Sequence, residues 1–138
     1  MATCPLADED YERYKKIKMQ RTPLNTAITF RVDVKNEKTI IDEIIEDISL
    51  EKLQEELSES SPRYIAYVSK YTHPDGRCSY PIVFIYFMPR GISPAMAMTY
   101  SANKQNLVNR LEIMKSFDAD NLETLTEPWL KEKLAFFK

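Results

Sequence analysis

Six consecutive apolar residues, Ile82-Val83-Phe84-Ile85-Tyr86-Phe87, set the architectures open to this chain. They are β-branched or aromatic and do not alternate with polar residues. The strand they predict is therefore covered on both faces and lies inside a sheet. Extended from Pro81 to Pro89 the run is nine residues long, against about 20 for a membrane helix. It reads as a buried strand and not as an anchor.

That strand has an evident partner. Arg63 to Tyr71 and Tyr80 to Met88 are both strand-like and flank His73-Pro74-Asp75-Gly76. Proline presets the second position of a type I turn, and glycine takes the left-handed angle that follows. This is the strongest hairpin signal in the sequence. A second hairpin is predicted from Ala27 to Val34, the turn Lys35 to Lys38, and Thr39 to Ile45. In its first strand Ile28, Phe30, Val32 and Val34 alternate with Ala27, Thr29, Arg31 and Asp33, which predicts one buried and one open face.

Helices fill the intervals. Asp8 to Met19 carries acids at its start and bases at its end, as the helix dipole favours. Ser49 is placed as an N-cap, with Ile48 and Leu53 as a hydrophobic staple and Leu50, Leu53 and Leu57 on one face. Ser93 and Pro94 open a long helix whose inner face is Met96, Tyr100, Leu107, Leu111 and Met114. Lys115 to Ala119 is a short strand. Thr126 caps a last helix with inner face Leu130, Leu134 and Phe137, with Leu125 and Leu130 at the staple positions. Strands paired by hairpins with helices between them imply a mixed sheet with helices on both faces.

Composition then excludes function classes. The chain has 138 residues, a length suited to one domain of about 100 to 200 residues. We expect a single domain over 1–138 with residues 1–7 a flexible N-terminal segment. The net charge of −2 argues against a nucleic-acid binder. Two glycines and one histidine leave little for phosphate-cradling loops or histidine metal sites. Met1 to Asp10 has three acids and no apolar run, so no secretory leader is expected, and Cys4 and Cys78 are read as free thiols of a reduced compartment. His73 and Cys78 at a hairpin tip lack an orienting third group and an oxyanion hole. We expect no catalytic residues, cofactor, metal or membrane partner, and a monomer.

Two features point to partner binding, and each has a plainer reading. Arg13, Lys15, Lys16, Lys18 and Arg21 have no acid between them, whereas Asp42 to Glu59 holds eight acids and one base. These are either solvated faces or surfaces that steer a partner's approach. The long helix has a second face of Ala95, Met98, Ala102, Gln105 and Asn109, small or uncharged with one flexible methionine. It either packs inside the fold or binds a protein.

The stretch Ala97-Met98-Thr99-Tyr100-Ser101-Ala102-Asn103-Lys104 resembles the signature of the actin-depolymerising-factor homology (cofilin-like) family. Pro62 to Tyr67, Tyr71 to Pro81 and Leu125 to Phe137 are most similar to its glia-maturation-factor branch. The resemblance runs from about Asp8 to the C-terminus. It implies an α+β cofilin-like fold, with a mixed, mostly antiparallel sheet of five to six strands between helices. It implies a cytoplasmic regulator of the actin cytoskeleton, at the cell cortex, lamellipodia or actin patches. The implied partner is the actin-related protein 2/3 complex, with actin at branch junctions, and the implied effects are inhibition of nucleation and debranching. The alternative is a conventional cofilin-like protein that binds actin monomers or severs filaments.

Carried over by residue, the resemblance implies a partner site at Lys18, Arg21, Ala95, Met98, Ala102, Asn103, Lys104 and Gln105. A second partner surface falls on Lys70, Asp75, Arg77, Lys131 and Lys133. Cofilins place lysines where this chain has Ala95 and Ala97, and losing those charges is expected to weaken binding to actin's acidic surface. The phosphorylatable N-terminal serine of many members is absent here. Thr3 either takes its place or is an unmodified terminal residue.

Overall fold

A computed structural model describes residues 4–20, 25–69, 71–72 and 74–135. In chain order the elements are α1 (Asp8–Gln20), β1 (Thr26–Asp33), β2 (Lys38–Glu46), α2 (Leu50–Glu56), β3 (Arg63–Val68), β4 (Tyr71–Thr72), β5 (Cys78–Ser79), β6 (Ile82–Phe87), α3 (Pro94–Leu111), β7 (Ser116–Ala119) and α4 (Glu127–Ala135). A single 3-10 turn, Leu122–Thr124, precedes α4. Among the described residues no helix is long and apolar enough to cross a membrane.

Five strands form the main sheet in the order β2-β1-β3-β6-β7. All pairings are antiparallel except β6 with β7. The apolar run is β6, interior to the sheet, and Val83 to Phe87 are buried on both faces. One face packs Ile28, Phe30, Val32, Tyr64, Ala66, Phe84 and Tyr86 against Tyr14 of α1 and Tyr100, Leu107 and Leu111 of α3. The other packs Ala27, Ile65, Tyr67, Val83, Ile85 and Phe87 against Leu50 and Leu53 of α2 and Leu130 of α4. The result is three layers, helices over sheet over helices.

The half-open reading of β1 is corrected. Ala27 and Thr29 are as buried as Ile28 and Phe30, because β2 and β3 flank β1 and helices cover both sides. Val34 is 61% exposed and lies beyond the strand. The β2 sequence shows no alternation for a different reason. Its register with β1 shifts between Thr29 and Phe30, so Asp42 is an extra residue. The bulge lets Ile41 and Ile44, three apart, face the same core. Thr29 Oγ1 accepts from the Glu43 amide at 3.0 Å and so closes the gap.

The long hairpin splits in two. β3 and β6 pair in the main sheet, whereas β4 and β5 make a separate two-stranded ribbon. Gly76 at its turn has φ +92°, the left-handed angle the turn requires. The caps stand as read from the sequence. Ser49 accepts from the Lys52 amide at 3.2 Å, Ser93 from Met96 at 3.3 Å, and Thr126 from Trp129 at 3.2 Å. The inner face of α3 is shorter than its periodicity suggests. Met96 is 40% exposed, and Met114 is 95% exposed because α3 stops at Leu111, where Glu112 turns left-handed (φ 57°). Phe137 lies outside the described residues.

The N-terminal segment is not loose over residues 4–7. Cys4 and Leu6 are buried. The Thr39 amide donates to Pro5 O at 2.9 Å, and the Ala7 amide donates to Thr39 O at 2.9 Å. Residues 4–7 thus strap the outer edge of β2 and satisfy backbone groups an edge strand otherwise leaves open.

Candidate functional site

Hydroxyl groups fix α3, the helix that carries six of the eight residues of the first predicted partner site. The Tyr64 hydroxyl donates to Tyr100 O at 2.6 Å, and the Tyr100 hydroxyl accepts from the Val32 amide at 3.0 Å. The Tyr14 hydroxyl donates to Leu111 O at 2.8 Å, which docks α1 against the C-terminal end of α3. Burial pushes the Tyr14 and Tyr64 phenols well above their ordinary range, so both stay protonated donors. With α3 pinned on its inner side, its outer side has a defined orientation.

That outer side carries Ala95, Met98, Ala102, Gln105 and Asn109, all exposed. Met98 is 66% exposed. The Gln105 side-chain amide donates to Asn109 Oδ1 at 2.9 Å and closes the lower end of the stripe. From Gly91 to Asn103 the sequence has no charged residue. The stripe is therefore small, uncharged and centred on one flexible apolar side chain. Such a surface gains by burial and loses little on desolvation.

Two carried-over residues behave differently. Lys104 is folded onto the sheet, with Nζ 2.9 Å from Asp118 Oδ1 and 5.3 Å from the Tyr86 ring centroid. Asn103 is corrected outright. It is only 3% exposed and points inward, so its side chain is not part of the outer surface. Its amide donates to Thr39 Oγ1 at 2.7 Å and its Oδ1 accepts from the Cys4 amide at 3.3 Å. The signal was present in the spacing, because residues 100, 103, 107 and 111 form one helical face.

Lys18 is exposed on α1, its ammonium 6.0 Å from the Tyr14 ring. It lines a groove of about 380 Å³ with Tyr11, Tyr14, Lys15, Met19, Leu111 and Glu112. Lys18 thus lies beside the C-terminal end of α3. Met98 is 13 residues up that helix, or roughly 20 Å at 1.5 Å per residue. The two do not form one compact pocket. A second groove, about 360 Å³, runs between them, with Cys4, Pro5, Leu6 and Asp8 facing Asn103, Asn106, Leu107 and Arg110. Burial, with a smaller contribution from Glu37, raises the Cys4 thiol pKa. Arg110 stacks on Tyr11, 3.6 Å from the ring centroid. Strap, α1 and α3 therefore form a continuous face some helix-length long.

The second predicted surface is dispersed over separate elements. Asp75 and Arg77 pair at 2.6 Å on the exposed ribbon turn and largely neutralise each other. Lys131 is exposed and Lys133 half-buried on α4. Thr3, Arg21, Lys70 and His73 lie outside the described residues. Cys4 is buried and Cys78 exposed, and neither is in a disulfide.

Known proteins match the chain over nearly its whole length. A family model described as cofilin/tropomyosin-type actin-binding protein matches residues 3–135. The chain is 40% identical to glia maturation factor beta of Homo sapiens over 137 residues, covering 99% of this chain and 96% of that one. It is 35% identical over 131 residues to glia maturation factor of Drosophila melanogaster, covering 95% of each. Its fold is similar to the solution structure of glia maturation factor from Caenorhabditis elegans, with a TM-score of 0.84, 27% identity and 96% of each chain covered.

Proposed function

We propose that this chain, which belongs to the cofilin/tropomyosin-type actin-binding family and within it to the glia maturation factors, binds the actin-related protein 2/3 complex, inhibits nucleation and promotes debranching. An actin-regulatory role follows from the family alone. The narrower reading rests on the uncharged outer stripe of α3, where Ala95 and Ala97 stand in place of the lysines expected of cofilins. Actin's acidic surface gains nothing from this stripe electrostatically. A partner with an apolar cleft does, through Met98 and its small neighbours.

The mechanism needs no bond chemistry. The face of α3 and the N-terminal strap occupy a cleft on one actin-related subunit. The second predicted surface, Asp75 and Arg77 on the ribbon turn and Lys131 and Lys133 on α4, with Lys70 as a further candidate, would meet a neighbouring subunit or the first actin of the daughter filament. Binding that favours the unbranched arrangement shifts the equilibrium toward dissociation by its differential affinity. A single cytoplasmic domain over 1–138 suffices.

Branch dissociation measured on individual filaments, beside binding to purified actin monomers, tests the reading. Accelerated loss of branches with weak monomer binding is expected. Tight monomer binding or severing without an effect on branches would mean a conventional cofilin-like activity instead.

The basic end of the face makes a separate prediction. Lys18→Glu should slow association with the complex by about five- to tenfold at low salt, because an exposed charge acts mainly by steering. The difference should shrink toward zero in high salt, where the Debye length is about 3 Å. A salt-independent loss would assign Lys18 to a direct buried contact. No change at any salt would remove it from the site.

A further inference from the structure

We propose that Asn103 is a positioning residue: through Thr39 it holds the N-terminal strap in place beside α3, and thereby presets the binding face without touching the partner. The inference rests on the reading of that face as the partner site. Its basis is a closed set of hydrogen bonds joining three segments distant in sequence. The Asn103 amide donates to Thr39 Oγ1 at 2.7 Å, Thr39 Oγ1 donates to Cys4 O at 2.7 Å, and the Cys4 amide donates to Asn103 Oδ1 at 3.3 Å. Asn103 also hydrogen-bonds the Tyr64 hydroxyl, which ties the ring to β3. Helix α3, edge strand β2 and residue 4 are locked to one another in a single arrangement.

Both side chains are closed to a partner. Asn103 is 3% exposed and Thr39 is 0% exposed. The strap beyond them is different. Pro5 is exposed, and Cys4, Pro5 and Leu6 form one wall of the groove whose other wall is Asn106, Leu107 and Arg110 of α3. Without the ring, residue 4 loses its hydrogen bonds to both α3 and β2, and the strap keeps its backbone pairing with Thr39 and the burial of Cys4 and Leu6, neither of which fixes the backbone of residue 4 by a polar bond. A partner would then have to order these residues itself, at an entropic cost. Preorganisation removes that cost in advance. This also explains why a polar side chain occupies an inward position of a helix that otherwise buries Tyr100, Leu107 and Leu111. A satisfied buried amide specifies one arrangement, whereas an apolar side chain would fill the space without fixing the strap.

Thr39 makes the test clean, because it lies on β2 and no partner can reach it. Thr39→Val removes the hydroxyl and keeps the shape, whereas Thr39→Ser keeps the hydroxyl. Affinity for the purified actin-related protein 2/3 complex is measured for Thr39→Val, Thr39→Ser, Asn103→Ala and, as a control on the face itself, Met98→Asp. Amide hydrogen exchange is followed at Cys4 and Ala7, with β3 and β6 amides as an internal measure of folding.

Thr39→Val and Asn103→Ala should each weaken binding about five- to tenfold, the size expected for a buried hydrogen-bonded contact. The double variant should be little worse than either single one. Exchange at Cys4 and Ala7 should rise while the sheet stays protected, and Thr39→Ser should behave like the parent. If Asn103→Ala weakens binding and Thr39→Val leaves it unchanged, Asn103 acts by some route other than the strap and the proposal is overturned. It is equally overturned if exchange rises in both variants with unchanged affinity while Met98→Asp still weakens binding. If Met98→Asp has no effect either, the reading of the face fails and takes the proposal with it.

Discussion

Met98→Asp should lower affinity for the actin-related protein 2/3 complex by about 30- to 100-fold, the loss typical of removing a central interface residue. Two effects add. On the proposed reading, the thioether no longer fills the partner's apolar cleft, and a carboxylate is brought into the interface beside a stretch of this chain that has no cation. Between Gly91 and Asn103 this chain supplies no charge of its own to compensate it, and an unpaired buried charge is strongly unfavourable. The fold should not notice. Met98 is 66% exposed in the free protein, and surface changes of this kind usually stay within about 0.5 kcal/mol. Met98→Leu, which keeps the volume and the apolar character, should stay within about threefold of the parent. Equilibrium binding with matched thermal melts separates the cases. Equal affinity for Met98→Asp and the parent would place the interface elsewhere on the molecule.

The outer stripe that carries this prediction was legible in the sequence because it depends on local rules. Ser93 and Pro94 fix where α3 starts, helical periodicity fixes which residues share a side, and Ala95, Met98, Ala102, Gln105 and Asn109 all emerge exposed. The same locality explains the caps at Ser49 and Thr126 and the turn at Gly76. What the sequence concealed depends on tertiary neighbours. Thr29 and Ala27 read as an open face of β1, and only the tertiary packing, with β1 between β2 and β3 and helices α2 and α4 on that side of the sheet, shows that they are covered. The extra residue Asp42 breaks alternation in β2, and a bulge leaves no composition signal of its own. The terminus read as loose because its residues look unremarkable. Its order comes from Thr39 and Asn103, 35 and 99 positions away. The family resemblance implies a partner-facing Asn103, although its helical phase with Tyr100 and Leu107 puts it inside. Physical phase was the better guide there.

Glu127→Ala should lower stability by about 2–3 kcal/mol, because it leaves the buried Leu50 amide without a partner and removes the cap of α2, and should lower the melting temperature by roughly 6–12 °C at this chain length. Glu127 and Glu51 cap each other's helices. Glu127 Oε1 accepts from the Leu50 amide at 3.1 Å, at the start of α2, and Glu51 Oε2 accepts from the Glu127 amide at 3.0 Å, at the start of α4. Each carboxylate also sits at the positive end of the other's helix dipole. The Tyr67 hydroxyl lies 2.9 Å from both Glu127 Oε1 and Ile48 O, so its single hydrogen is shared between them. Burial, reinforced by the Glu127 charge, pushes the Tyr67 phenol far above its ordinary pKa, which keeps that hydrogen in place. A seven-residue helix such as α2 is too short to persist on its own propensity, so it depends on these contacts and on burial of Leu50 and Leu53. Glu127→Gln retains one acceptor oxygen and should cost less than half as much. Tyr67→Phe should add less in the Glu127→Ala background than alone, since the two share a bond. A Glu127→Ala melt within about 2 °C of the parent would show that water replaces the carboxylate at no cost. The network lies on the sheet face opposite α1 and α3. Folded Glu127→Ala molecules should therefore keep the affinity that the α3 face supplies, and any loss beyond the unfolded fraction would measure the contribution of the second surface, to which Lys131 and Lys133 of α4 belong.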